Sequence, residues 1–178
     1  VKCYWVGGCN PVLTTMKAEA MENTMVERGR PVQAAIDATR DRPMGERVAR
    51  IVEALKDGGM FLMTQDIYLT ATAKHAHLVL PAAQWGESEL TSINGERRLR
   101  LYERFMDPPG KAIPDWAIMA RIAKRIRKLY LEDDNPLMAN RFLDFDWRTP
   151  EDVFIHARYQ FKGNRGDPME AYSGLTYD

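Results

Sequence analysis

The sequence is poor in cysteine, in net charge and in long apolar runs, and each shortage removes a class of function. Cys3 and Cys9 are the only cysteines among 178 residues. An iron–sulfur cluster or a Cys-only zinc site takes four thiolates, so this chain alone houses neither. The two flank one short apolar run, which predicts free, partly buried thiols. Lys plus Arg and Asp plus Glu both number 25, leaving no net charge. That argues against a nucleic-acid binder, whose basic face leaves a positive excess. No apolar run approaches the roughly 20 residues of a membrane span. Histidine is scarce, at three residues. His75 and His77 form an HxH pair, but they straddle a helix-to-strand junction with no third ligand nearby, so no metal site is expected there. His156 reads as packing or surface. There is no GxSxG nucleophile motif, and "GGCNP" is not GxGxxG, so an ordinary NAD domain is not expected either.

What is present is an alternation of short apolar runs and helical patterns. Cys3–Val6 predicts a short buried strand that ends in "GGCNP". Residues 12–40 carry weak helical signals at 16–25 and 32–39, separated by "RGRP". From Met44 to Asp57 the spacing of Val48, Ile51, Val52 and Leu55 predicts a helix, closed by Gly58 and Gly59. Met60–Thr64 has the length and composition of a buried parallel strand. "QDIYLT" reads as a loop, Thr70–Ala76 as one or two helical turns, and His77–Leu80 as another strand. The order predicts an α/β fold with an open, mainly parallel sheet and flanking helices.

Beyond residue 80 a polar stretch leads to "RRLRLY", which suits an edge strand. Asp115 is expected to N-cap a helix whose apolar stripe is Met119, Ile122, Ala123, Ile126, Leu129 and Tyr130. A surface connection with a short helix near 136–142 follows. Thr149 then caps a last helix, with Pro150 at its first position and two acids in its first turn. The expected division is an α/β domain over 1–131 and a helical extension over 132–178. The chain begins without an initiator Met and ends in "SGLTYD", and reads as an internal piece of a longer protein.

In open α/β sheets ligands bind beyond the carboxyl ends of the strands. Three loops sit there: 7–11, 64–66 and 80–89. Asp66 at a strand tip can accept from a ribose hydroxyl or from guanine N1–H and N2–H. It can equally cap the turn that follows. Glu87 and Glu89 have the spacing of a carboxylate pair, one that is also common in any acidic loop.

The segments "YWVGGCNP", "TQDIYLTATAKHAHLVLPAAQWGESELTSINGERRLRLY" and "PPGKAIPD", in that order, resemble the molybdopterin oxidoreductases of the dimethyl-sulfoxide-reductase family. "LTSINGERRLRLYERFMDPPG" followed by "MANRFLDFDWRTPEDVF" is similar to that family's arsenite-oxidising branch, of which iodate reductases are near relatives. The resemblance implies a bis-molybdopterin guanine dinucleotide centre with molybdenum, and oxygen-atom transfer to or from an oxo-anion. This chain would be most of the third domain, binding one dinucleotide through Asn10, Gln65, Asp66, Ser88 and Asp115. Ser88 stands where periplasmic nitrate reductases have a lysine. "AAQWGESEL" departs from the "AAHPGEMNL" run of the arsenite-oxidising branch. The resemblance also implies an iron–sulfur cluster elsewhere in the subunit, a small Rieske-type iron–sulfur partner subunit and a periplasmic location. The rival reading is a non-catalytic α/β domain that binds a nucleotide or a protein through the same strand ends.

Overall fold

A computed structural model describes residues 1–160 apart from Asn94 and Arg97, together with Thr176 and Tyr177. The chain divides into two compact units, Val1–Ala82 and Ala83–Asp178.

The first unit runs β1 (Cys3–Gly7), α1 (Pro11–Thr14), α2 (Ala18–Ala38), α3 (Met44–Lys56), β2 (Phe61–Asp66), a 3-10 turn at Ala73–His75, and β3 (Leu78–Pro81). The strands form one parallel sheet in the order β1-β2-β3, so the open α/β expectation is met. β2 lies in the centre and is buried from Leu62 to Gln65. Its near-continuous apolar start is what a strand covered on both faces requires. β1 and β3 are edges, and here the expectation of buried strands fails. Only Val6 of β1 is buried, and Leu78 and Val79 of β3 are exposed. Both cysteines are free and exposed rather than partly buried. Partial desolvation of its thiol nevertheless pushes the Cys3 pKa up, the opposite of an activated thiolate.

Val6, Val12, Met25, Met60 and Leu62 form the core of this unit. Full burial of a side chain such as Leu62 contributes about 2 kcal/mol. Met25 belongs to α2, which is one continuous helix rather than the two segments expected around "RGRP". Pro31 has no N–H to give the Glu27 carbonyl, a defect that normally breaks a helix. Here the next two carbonyls take donors from outside. Arg28 O accepts from Met60 N at 2.8 Å, and Gly29 O lies 3.0 Å from His77 Nε2. Tertiary contact overrides the local signal.

α3 covers the expected span. Of its predicted stripe, Ile51 and Leu55 are half-buried while Val48 and Val52 stay exposed. It closes at Gly58, whose φ of +93° is the left-handed conformation that favours glycine after a helix.

The second unit opens with a hairpin of β4 (Leu90–Ile93) and β5 (Leu99–Tyr102), paired Leu90↔Tyr102 through Ile93↔Leu99. β5 falls where the sequence predicts a strand, whereas β4 lies within the stretch expected to be polar and irregular. Then come α4 (Asp115–Glu132), α5 (Pro136–Asn140), a 3-10 turn at Leu143–Phe145, and α6 (Pro150–Gln160). α4 buries Ile118, Ala120 and Ala123, whereas Met119 and Leu129 of the predicted stripe are exposed. Asp115 is not its N-cap: Pro114 holds that position, and Asp115 is the first helical residue, where its charge faces the positive end of the helix dipole.

α6 begins as expected. Thr149 Oγ1 accepts from Asp152 N at 3.1 Å, and Asp152 Oδ2 accepts from Thr149 N at 2.9 Å and Arg148 N at 2.7 Å. This is a reciprocal capping box. Tyr130, Phe142, Phe145, Trp147 and His156 form a row of ring contacts beside it, and Trp147 Nε1 donates to His156 Nδ1 at 3.0 Å. His156 is therefore a packing residue.

Candidate functional site

The carboxyl ends of β1 and β2 lie side by side, because Gly7 pairs with Gln65 in the parallel register. Gly8 N donates to Gln65 O at 2.9 Å, tying the loop after β1 to the β2 tip. Gly8 takes φ +60°, with open space where a Cβ would stand, so the loop turns sharply without crowding whatever lies above it.

Asn10 follows that loop and starts α1. Its Oδ1 accepts from Thr72 N at 3.1 Å and from Thr72 Oγ1 at 2.8 Å. Its backbone carbonyl accepts from Leu13 N and Thr14 N. Among the described residues its Nδ2 meets no partner. Gln65 is buried at 1% exposure in β2. Asp66 ends β2, with one carboxylate oxygen, Oδ1, accepting from Tyr68 N at 3.0 Å. That is the turn-capping role open to a strand-tip Asp. Oδ2 remains without a partner among the described residues, so the cap leaves an acceptor to spare. The structure thus places Gln65 and Asp66 at the end of β2 and Asn10 in the loop after the adjacent strand β1.

Ser88 and Asp115 belong to the second unit. Ser88 is buried, and its hydroxyl donates to Glu89 O at 3.0 Å. It brings no charge to a phosphate. Asp115 is exposed in the first turn of α4. The segments that carry the two residues are tied within the unit by Ala83 N donating to Ile113 O at 2.9 Å.

Among the described residues, no group of three or more His, Cys, Asp and Glu could hold a metal ion. The HxH pair serves α2 instead: His75 Nε2 lies 2.8 Å from Glu22 Oε1, and His77 contacts Gly29. No described helix is long and apolar enough to cross a membrane. A cleft of about 570 Å³ in the second unit is lined by Trp85, Gly86, Leu101, Tyr102, Glu103 and Phe105. It contains none of the strand-tip residues. We place the candidate site by donor and acceptor chemistry rather than by cavity size.

The family profile described as molybdopterin oxidoreductase matches residues 44–125. The arsenite oxidase subunit AioA of Herminiimonas arsenicoxydans is 39% identical over 97% of this chain and 21% of its own length. This chain belongs to the molybdopterin oxidoreductases. The iodate reductase subunit IdrA of Denitromonas iodatirespirans is 34% identical over 88% of the chain and 16% of its own length. The formate dehydrogenase alpha subunit of Methanocaldococcus jannaschii is 46% identical over 73% of the chain and 16% of its own length. The chain thus spans between 16% and 21% of the length of these curated relatives.

The family carries a molybdenum–pterin cofactor, and the open groups at the strand tips suit a ligand with nucleotide chemistry. A nucleotide offers donors (base N–H, ribose O–H) and acceptors (phosphate and carbonyl oxygens). The tips present one open carboxylate oxygen and one open amide nitrogen. Two residues that shape this site are not among the predicted site residues: Thr72, which orients Asn10, and His77, which fastens α2 to β2. Only the tertiary fold assigns their partners.

Proposed function

We propose that this chain is the dinucleotide-binding part of a molybdenum-dependent oxidoreductase subunit, with Asn10, Gln65 and Asp66 gripping one molybdopterin guanine dinucleotide. The observation that carries the reading is an acceptor and a donor left open among the described residues, Asp66 Oδ2 at the end of β2 and Asn10 Nδ2 in the loop after the adjacent parallel strand β1. The carboxylate accepts from a guanine edge or a ribose hydroxyl, and the amide donates to an oxygen of the same ligand. The Tyr68 N–H holds the Asp66 carboxylate in place, so little freedom is lost on binding. Ser88 and Asp115 enter the proposal through the family pattern alone.

When bound, the cofactor supplies two-electron chemistry at molybdenum. We take the reaction to be oxidation of arsenite to arsenate, on the strength of 39% identity across nearly the whole chain. Reduction of iodate is the second reading, favoured by 34% identity to an iodate reductase subunit. The iron–sulfur cluster, the Rieske-type partner subunit and the periplasmic location implied by the family resemblance complete the proposal.

The test uses the full-length subunit. Molybdenum analysis and release of GMP by acid hydrolysis should find both, with arsenite-dependent reduction of an artificial electron acceptor. A subunit free of molybdenum and GMP would remove the reading and leave a non-catalytic domain. Iodate reduction without arsenite oxidation would select the second reaction.

A further inference from the structure

We propose that Thr72 is a positioning residue for the dinucleotide site, fixing the Asn10 amide so that this side chain offers the ligand only N–H donors. The inference rests on the dinucleotide reading above. Thr72 is fully buried and lies 62 residues from Asn10 in sequence. Its backbone N–H and its hydroxyl both donate to Asn10 Oδ1, at 3.1 and 2.8 Å. The same hydroxyl accepts from Val12 N at 3.2 Å. A hydroxyl has one proton, and with Val12 N–H arriving from one side that proton is committed to Asn10.

Two donors on Oδ1 settle which end of the amide is oxygen. A flipped amide would set its own N–H groups against the Thr72 N–H and leave that buried donor unsatisfied. The Asn10 backbone is equally tied, its carbonyl accepting from Leu13 N and Thr14 N. Neither main chain nor side chain can turn. The remaining Nδ2 carries two N–H groups and has no partner among the described residues. Only an acceptor can bind there, meaning a phosphate, ribose or carbonyl oxygen, and a donor edge is turned away. At the neighbouring tip the open atom, Asp66 Oδ2, is an acceptor. The two tips therefore read opposite polarities, and Thr72 sets the polarity of the first.

The experiment compares GMP and molybdenum content per full-length subunit in three variants. Asn10→Asp keeps Oδ1 for both Thr72 donors and replaces the ligand-facing donor with an acceptor. Thr72→Val removes the hydroxyl, and Thr72→Ser restores it. We expect Asn10→Asp and Thr72→Val to retain about tenfold less GMP after dilution, and Thr72→Ser to match wild type. Cofactor-free Asn10→Asp should melt with the cofactor-free wild type, which separates ligand binding from folding. Asn10→Asp loaded as fully as wild type would overturn the assignment while leaving the dinucleotide reading intact. A wild type without GMP overturns both. If Thr72→Val fails to fold, Asn10→Asp decides, since it leaves every Thr72 hydrogen bond in place.

Discussion

His77 grips Leu62 twice: its backbone N–H donates to the Leu62 carbonyl at 2.9 Å, and its ring Nδ1 accepts the Leu62 N–H, also at 2.9 Å. Leu62 precedes Met63, the first residue paired with β3, so the ladder offers its N–H no carbonyl. The ring nitrogen takes that place. Nδ1 is therefore the bare nitrogen, and Nε2 carries the hydrogen that reaches Gly29 O. His77→Phe should keep the ring stacked on Phe61 while stranding a buried N–H and a buried carbonyl. The expected cost is about 2–3 kcal/mol, read as a lower midpoint in denaturant unfolding. A change below about 0.5 kcal/mol would show that water replaces the ring at no loss.

Gly58 and Gly59 should respond differently to alanine. Gly58 has φ +93° but open space around it, so Gly58→Ala pays only for the backbone conformation, about 1 kcal/mol. At Gly59 a Cβ would stand 2.5 Å from Ala54 O and 3.1 Å from Val32 Cγ2. A backbone atom in a closed helix cannot yield cheaply, so Gly59→Ala should cost about 2–3 kcal/mol. Thermal melts of the two variants give the order directly.

The start of α6 should be acid-sensitive. Backbone N–H groups of Arg148 and Thr149 hold the Asp152 carboxyl below its ordinary value. A depressed folded pKa contributes stability that is present above the unfolded value, about 3.9, and lost as pH falls through the folded one. Protection of the α6 amides, taken as exchange relative to the intrinsic rate at each pH, should therefore fall below pH ~4 in wild type. In Asp152→Asn that protection should stay nearly level across the same window. Thr149→Ala, which removes the other half of the box, should cost about 1 kcal/mol at neutral pH.

Asp66→Asn should separate the two jobs of that carboxylate. The retained oxygen still accepts from Tyr68 N, so cofactor-free stability should change by less than about 0.5 kcal/mol. The second oxygen becomes a donor, and the full-length subunit should lose most of its GMP and molybdenum. Wild-type occupancy in this variant would place the nucleotide elsewhere.

Much of the fold was legible in local chemistry. β2 showed as five consecutive apolar or β-branched residues, α3 as a 3.6-residue repeat stopped by two glycines, and α6 as a Thr–Pro start with acids behind it. Asp66 is legible as a strand-tip acceptor, and of its two readings the turn cap is the one seen, through Tyr68 N. What could not be read depended on partners distant in sequence. Pro31 announces a break, and nothing near it reveals that Met60 and His77 bring donors to the neighbouring carbonyls. Periodicity marks the apolar face of α4 without saying which part of it is covered, and Met119 and Leu129 lie on the part that is not. β4 is obscured in the sequence by its polar flanks.

Pro31 also governs where α2 can lie along its own axis. Side-chain packing between a helix and a sheet is forgiving, since a slip of one turn often brings an equivalent ridge over the same groove. Backbone acceptors are not interchangeable in that way. With Arg28 O joined to Met60 N–H and Gly29 O beside the His77 ring, and with a Cβ at Gly29 only 3.3 Å from that ring, α2 has a single seating on the sheet. A residue that looks like a flaw in the helix acts as the notch that indexes it, and the index is passed through α1 and α2 to the strand tips where Asn10 and Asp66 wait.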